Sequence, residues 1–207
     1  MALVPIVKPE TPLVWSWLWV AIIVVFASVT VARRTPEVPG LLVTSLIAHV
    51  VVAVISLVIV FGLGIFDLSG RSLVPVSGMV IGGAMKAAIV AARRITDAAT
   101  EHRAEIEAGL ALGISVSEAT RRQVRSGLRT AITPQLEQVA GLGIVFLSGA
   151  MTGLILAGAE PFEAVRTQLA LMYVMLAAVI MAAVITGLDT LRGLTTRQQT
   201  LVRLIRS

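Results

Sequence analysis

The sequence LLVTSLIAHVVVAVISLVIVFGLGIF occupies residues 41–66, and His49 is its only residue with an acidic or basic side chain. A hydrocarbon layer of about 30 Å needs about 20 consecutive apolar residues of α-helix to cross it. A helix of a soluble protein is apolar along one stripe, whereas this stretch is apolar on all sides. The stretch therefore predicts a membrane-spanning helix.

Four more stretches of similar length have the same character: residues 15–32, 73–92, 139–159 and 169–188. Lys86 is the only charged residue in any of them. Hydrophobic residues make up 57% of the chain and charged residues 14%, which lies outside the soluble range. We predict a single all-α domain over residues 1–207, a polytopic integral membrane protein with about five transmembrane helices and one amphipathic cytoplasmic helix.

The basic residues predict the orientation of these helices. Thirteen of the 17 lysines and arginines lie in three places: Arg33 and Arg34, seven arginines from Arg93 to Arg129, and Arg192, Arg197, Arg203 and Arg206. Five spans threaded in order place all three groups on one side, which is cytoplasmic by the positive-inside rule. The N-terminus is then outside, residues 15–32 are a retained span rather than a cleaved leader, and the high pI reflects topology rather than nucleic-acid binding. We expect a multi-pass protein of the cell membrane.

The connection at residues 93–135 is the only sizeable polar region. The third span is expected to continue as a helix to Leu112, with Gly113 ending it. Ser115 and Glu118 have the spacing of a capping box, which predicts a new helix that ends near Ile132, because Pro134 restricts the residue before it. Its arginines occupy one arc and Val116, Val124, Leu128 and Ala131 an adjoining one. This amphipathic helix could lie on the membrane surface or dock a cytoplasmic partner.

Acidic residues recur before that turn at Asp97, Glu101 and Glu105. We interpret them as a solvated helix face in preference to metal ligands, and Arg103 and Glu107 as an i,i+4 ion pair. His49 is expected to bond a neighbouring helix rather than a metal. We predict no metal site and no cofactor.

Several motifs in order resemble the FetB-type permeases, membrane subunits of ABC transporters linked to iron export, whose family includes plant aluminium-tolerance half-transporters. They are LVPVSGMVIGGAM at 73–85, EAGLALGISVSEA at 107–119, RTAITP at 129–134 and GLGIVFLSGAMTGLILAGAEPFEAV at 141–165. The resemblance implies a homodimer that works with a separate cytoplasmic ABC ATPase, and EAGLALG looks like the loop by which permeases engage it. Family members usually have about two further helices before the region matching residue 15, so a minimal form or a truncated start is expected. Family members usually have GNAM where this chain has residues 82–85, and LPGMMTGQIL where it has residues 147–156. The polar amide, one methionine and the proline of those motifs are missing from this chain, which makes iron a weaker expectation as its substrate.

Two groups of residues are candidates for function. The ATPase-coupling candidates are Glu107, Gly113, Arg121, Arg122 and Arg125. The candidates for helix packing or the transport pathway are Gly78, Gly82, Met85, Lys86, Gly149, Met151 and Gly153. Small residues four apart let helix backbones approach closely. Lys86 either extends its ammonium to the cytoplasmic interface or faces a polar cavity.

No phosphate-binding loop precedes either lysine, so ATP hydrolysis requires another polypeptide and the chain itself is not expected to be an enzyme. We predict the permease subunit of an ABC transporter that exports iron, another metal or a small solute. The alternative is a membrane scaffold that does not transport, and that anchors or regulates a cytoplasmic protein through its arginine-rich loop. A neighbouring gene for an ABC ATPase would favour the permease.

Overall fold

The computed structural model describes residues 13–38, 40–141 and 149–193. Within these ranges the chain forms eight α-helices and no strand. They are α1 (Leu13–Arg34), α2 (Leu41–Gly62), α3 (Gly70–Glu101), α4 (Arg103–Ala111), α5 (Val116–Ala119), α6 (Arg121–Ala140), α7 (Gly149–Leu156) and α8 (Pro161–Gly193). The prediction of an all-α polytopic membrane protein is confirmed.

Helices α1, α2, α3 and α8 are long and apolar enough to cross a membrane, and they coincide with four of the five predicted spans. The fifth, at residues 139–159, is only partly described. Its first residues end α6, residues 142–148 lie outside the described ranges, and α7 follows. The count of five spans therefore remains a prediction.

Helix α3 lies at the centre of the bundle and packs against α1, α2, α6 and α8. Its face toward α6 and α8 is built from small side chains, with Ala87 and Ala91 buried against Ala131 of α6 and Ala183 of α8. Alanine lets helix backbones approach closely, which is the usual way that helices associate inside a membrane.

Helix α6 corrects the prediction that the amphipathic helix ends near Ile132. It continues through Pro134 to Ala140. Proline removes one backbone hydrogen bond, but a helix held between neighbours in a membrane protein tolerates that loss. Ala131 and Gln135, on either side of this point, are buried. The helix is thus packed into the bundle along its second half and does not simply lie on the membrane surface.

The arginine-rich ends of the helices gather at one end of the bundle, which we call the basic end. Arg93 Nε donates a hydrogen bond of 2.9 Å to the carbonyl oxygen of Arg34, which joins α3 to the end of α1. A Cβ at Gly187 of α8 would lie 3.0 Å from Cδ1 of Ile95 and 3.1 Å from Cδ2 of Leu128. The ends of α1 and α8, the middle of α6 and the region of α3 after residue 92 are therefore at the same level.

The helix that leaves the basic end is interrupted once, at His102, where α3 ends and α4 begins. Gly113 ends α4 as predicted, because it has φ +84°, a left-handed conformation that glycine adopts without strain. The amide of Ile114 donates to the carbonyl of Gly109 at 3.1 Å and that of Gly113 to Leu110 at 3.0 Å, the pairing of a Schellman turn.

The predicted start of a new helix at Ser115 is confirmed, since Ser115 is the N-cap residue of α5, but the capping hydrogen bonds of the Ser115 and Glu118 side chains are not formed. The Ser115 hydroxyl lies 3.2 Å from that of Ser117 instead. The short helix α5 stops at Ala119, and α6 begins beyond Thr120.

Candidate functional site

A groove of about 620 Å³ runs between α3, α6 and α8, and we call it the central groove. Gly78, Gly82 and Gly83 form its α3 wall, and Met175 and Val179 belong to α8. A Cβ at Gly83 would lie 3.6 Å from Val179 and 3.9 Å from Met175, so that end of the wall is in contact with α8. Cβ atoms at Gly78 and Gly82 would meet no atom of the described residues within 4 Å. These two glycines therefore keep the groove open.

The polar groups of the central groove come from Lys86 on α3 and from Thr130, Gln135 and Gln138 on α6. Lys86 is exposed, and it has no hydrogen bond or ion pair to any described residue. Pro134 also lines the groove, and because it has no N–H it cannot bond the carbonyl of Thr130, four residues earlier. The groove therefore offers an ammonium group, a hydroxyl group and amide groups.

The buried Gln135 contacts α8 at the groove, where its Nε2 donates a weak hydrogen bond of 3.9 Å to Sδ of Met172. Gln138 lines the groove together with Gly78, which belongs to the third predicted span. The second half of α6 therefore lies at membrane depth although it is polar. Outside the groove, α6 also carries the exposed Glu137. Polar and ionisable groups at that depth usually face protein or a water-filled cavity rather than lipid.

The structure separates the predicted pathway residues. Gly78, Gly82 and Lys86 lie together in the central groove. Met85 is half-buried and packs against the α1–α2 side of α3. Gly149 begins α7, where Met151 is buried. Gly153 lines a different pocket, with Pro75 and Met79 of α3.

The predicted coupling residues lie on the projecting segment α4–α5 and at the start of α6. Arg103 Nε bonds Glu107 Oε1 at 2.7 Å, which confirms the predicted ion pair between two exposed side chains. Gly113 is at the exposed tip, and Arg121, Arg122 and Arg125 are exposed on α6. A surface ion pair contributes only about 0.2–1 kcal/mol. The buried contact of Ile106 with Ile95 and Ala99 and the turn at Gly113 therefore determine the shape of this segment more than the ion pair does.

Sequence reasoning missed Gln135 and Gln138 because they belong to a stretch that resembles a loop, with a proline and three polar residues in the five positions 134–138. It also missed Gly127, where a Cβ would lie 2.7 Å from Cγ1 of Ile95. The available signal was continuity of the helical pattern across Pro134, with Gly127, Ala131 and Gln135 four residues apart. Spacing of four places these small and amide side chains on one face.

His49 and the acidic residues after the third span have side chains of the kind that bind metal ions. The buried His49 donates from Nδ1 to the carbonyl oxygen of Ser45 at 2.7 Å, and its Nε2 has no partner among the described residues. It bonds within its own helix rather than a neighbouring one. The described ranges contain no group of three histidine, aspartate or glutamate side chains suited to a metal ion. The acidic side chains of Asp97, Glu101 and Glu105 are exposed.

A bundle of long apolar helices with a polar groove between them and an arginine-rich end defines a multi-pass, all-α membrane protein. The chain belongs to the family described as "Uncharacterised protein family (UPF0014)", which it matches over residues 1–194. The resemblance to FetB-type permeases is thereby confirmed.

The curated relatives fit this assignment. The chain is 32% identical over 188 residues to the UPF0014 membrane protein YjkA of Bacillus subtilis, covering 91% of this chain and 75% of that protein. It is 30% identical over 172 residues to the UPF0014 membrane protein STAR2 of Oryza sativa subsp. japonica, covering 83% of this chain and 60% of that protein. It is 26% identical over 160 residues to the "Probable iron export permease protein FetB" of Escherichia coli, covering 77% of this chain and 62% of that protein.

The chain thus spans less than two thirds of the length of two of these relatives. No solved structure matches it.

Proposed function

We propose that this chain is the membrane-spanning permease subunit of an ABC transporter, which exports iron, another metal or a small solute and is powered by a separate ATPase. The observation that carries the proposal is the central groove. It places an ammonium group and amide groups at membrane depth, between helices that otherwise bury apolar side chains. Polar groups in such a position usually mark the route of a substrate or ion.

The groove also bears on the cargo. Among its described lining residues Lys86 is the only charged one, and its ammonium would repel a bare cation moving past it. A metal accompanied by anionic ligands, or a small solute with an anionic group, would avoid that repulsion. The FetB relative is named for iron export, and this is the reason for including iron among the proposed cargoes.

The projection of α4, α5 and the start of α6 is the proposed contact with the ATPase. It is joined directly to α3 and continues into the second half of α6, so both walls of the central groove are connected to it. Movement of the projection would therefore change the distance between Gly82 and Gln138. Glu107, Gly113, Arg121, Arg122 and Arg125 are the residues proposed to transmit it.

We further propose that two copies of the chain act together with two ATPase copies. The exposed face of α6 at Glu137, outside the central groove, would lie in hydrocarbon if a single copy stood alone. Covering this face with a second copy, or enclosing water between two copies, removes that cost. Gly78 and Gly82 would let the copies approach closely.

A scaffold that binds a cytoplasmic protein is the second candidate, because the projection is exposed and three arginines, Arg121, Arg122 and Arg125, follow one another closely at the start of α6. Affinity purification of the tagged chain in mild detergent, followed by mass determination and identification of copurifying proteins, separates the two. A complex of two chains with an ABC ATPase supports the permease. A particle with the mass of one chain and no ATPase would contradict it, and a copurifying protein without ATPase activity would favour the scaffold.

A further inference from the structure

A second groove, separate from the central groove, lies at the basic end between α6 and α8. It measures about 620 Å³, and we call it the arginine groove. Val124 and Leu128 of α6 and Leu188 and Leu191 of α8 supply its apolar surface. Arg121, Arg125 and Arg129 line it at intervals of four residues along one face of α6.

The arginine groove lies at the level of the membrane surface. Leu188 directly follows Gly187, whose Cβ position is within 3.1 Å of both Ile95 and Leu128. Ile95 in turn follows Arg93 and Arg94, the first charged residues after the third predicted span. By the positive-inside rule these arginines mark the cytoplasmic interface. The apolar surface therefore borders the hydrocarbon, and the arginines are at headgroup level.

The charge of the groove is not compensated within the described part of the chain. No acidic residue is among its described lining residues, and none of its three arginines forms an ion pair with a described residue. All three side chains are exposed, and Leu188 is 46% exposed. A ligand of this groove must therefore carry negative charge beside an apolar part.

The chain's own C-terminal segment does not fit this groove, because it carries no acidic side chain. Residues 194–207 contain three arginines and no acidic residue, so they would add to the positive charge. An anionic phospholipid combines a negatively charged headgroup with apolar acyl chains, and it is present at this level of the bilayer. Its phosphate oxygens can pair with guanidinium groups. Basic pockets between membrane helices on the cytoplasmic side are known to suit such headgroups.

We propose that the arginine groove binds an anionic phospholipid of the cytoplasmic leaflet. Its phosphate is held by Arg125 and Arg129, and one acyl chain lies along Leu128 and Leu188. The site does not depend on the permease function, and it leaves Arg122 and the tip at Gly113 free for a cytoplasmic partner. Arg121 and Arg125 are shared with the proposed coupling surface, so lipid and ATPase would compete for them.

The test uses the purified full-length chain in detergent without an ATPase. Native mass spectrometry counts bound lipid during titration with phosphatidylglycerol and, separately, with phosphatidylcholine. We expect phosphatidylglycerol to bind more tightly. The double variant Arg125→Gln/Arg129→Gln should weaken it by about 5-fold per arginine, about 25-fold in all, and should leave phosphatidylcholine unchanged. Arg122→Gln is the matched control, because Arg122 is on the same helix outside the groove, and it should bind as the native chain does.

Two more variants keep the test decisive if the double variant does not fold. Arg125→Lys/Arg129→Lys keeps the charge and should retain most phosphatidylglycerol binding, whereas Leu188→Asn should weaken it by removing the apolar contact. Equal binding of the two lipids, or a native affinity in both the glutamine and Leu188→Asn variants, would overturn the proposal. Displacement of phosphatidylglycerol by a glutamate-rich peptide but not by inorganic phosphate would also overturn it, in favour of an acidic protein partner.

Discussion

Ile95 of α3 fills the space that the missing side chain of Gly127 leaves on α6, so closely that a Cβ at Gly127 would lie 2.7 Å from Ile95 Cγ1 and 3.3 Å from its backbone nitrogen. The same isoleucine approaches Gly187 of α8, and its side chain is fully buried. Three helices therefore meet around one side chain at the basic end. Helix α6 crosses α3 at this contact, one turn before Ala131 of the central groove.

Replacing Gly127 with alanine should destabilise the bundle. The added methyl group would overlap both the Ile95 side chain and its backbone, and overpacking of this kind costs about 1–3 kcal/mol. Thermal unfolding in detergent measures the effect. Gly82→Ala is the control, since a Cβ there meets no described atom within 4 Å and should leave the unfolding temperature nearly unchanged.

The double variant Gly127→Ala/Ile95→Ala should lose less stability than the sum of the losses measured for Gly127→Ala and Ile95→Ala, because the smaller side chain at 95 makes room for the new methyl group. Contacting residues couple in this way, whereas distant ones add independently. Strict additivity of the two changes would show that Gly127 and Ile95 do not touch.

Gly113→Val should disturb the tip of the projection without preventing membrane insertion. Valine at φ +84° is strained by roughly 1–2 kcal/mol, which is enough to change the path of the turn. We expect expression to be normal and stimulation of the copurified ATPase to fall. Gly113→Asn, which tolerates the left-handed conformation better, should retain more of that activity. Normal ATPase stimulation by the valine variant would remove the coupling role from the projection.

Charge reversal at Arg122 should weaken ATPase binding and spare the lipid site. Arg122 is exposed on α6 but does not line the arginine groove. The expected result for Arg122→Glu is a reduced amount of ATPase in the affinity-purified complex, with phosphatidylglycerol binding as in the native chain. Arg121→Glu/Arg125→Glu should reduce both. If ATPase recovery were unchanged in both variants, these arginines would have no role in docking.

Features that depend on local sequence could be predicted, whereas features that depend on contacts between residues far apart in the sequence could not. Helices α1, α2 and α8 and the first two thirds of α3 follow from apolar composition alone, and the turn at Gly113 follows from a local preference of glycine. The course of α6 does not, because Gln135, Glu137 and Gln138 are polar and follow a proline. Their helix persists through contacts with alanines of α3 and α8, which are far away in sequence. Likewise, nothing near Gly127 indicates that Ile95 lies against it.

Topology is tested by single cysteines, since the native chain has none. Leu68 is 51% exposed in the connection between α2 and α3, and Ser126 is exposed on α6. Leu68→Cys should react with an impermeant thiol reagent from outside intact cells and Ser126→Cys only after lysis. Reaction of Ser126→Cys from outside would contradict the predicted orientation and the assignment of the basic end to the cytoplasm.

The central claim is that the central groove is a water-filled route through the membrane whose opening depends on the ATPase. It is tested most directly by the reaction of a Gly82→Cys variant with a charged, water-soluble thiol reagent, in membranes that contain the copurifying ATPase, with and without ATP. Val58→Cys is the lipid-facing control, because Val58 of α2 is 64% exposed among other exposed apolar side chains. We predict that Gly82→Cys reacts at a rate that changes with ATP while Val58→Cys does not react. Failure of Gly82→Cys to react in either condition would contradict the account.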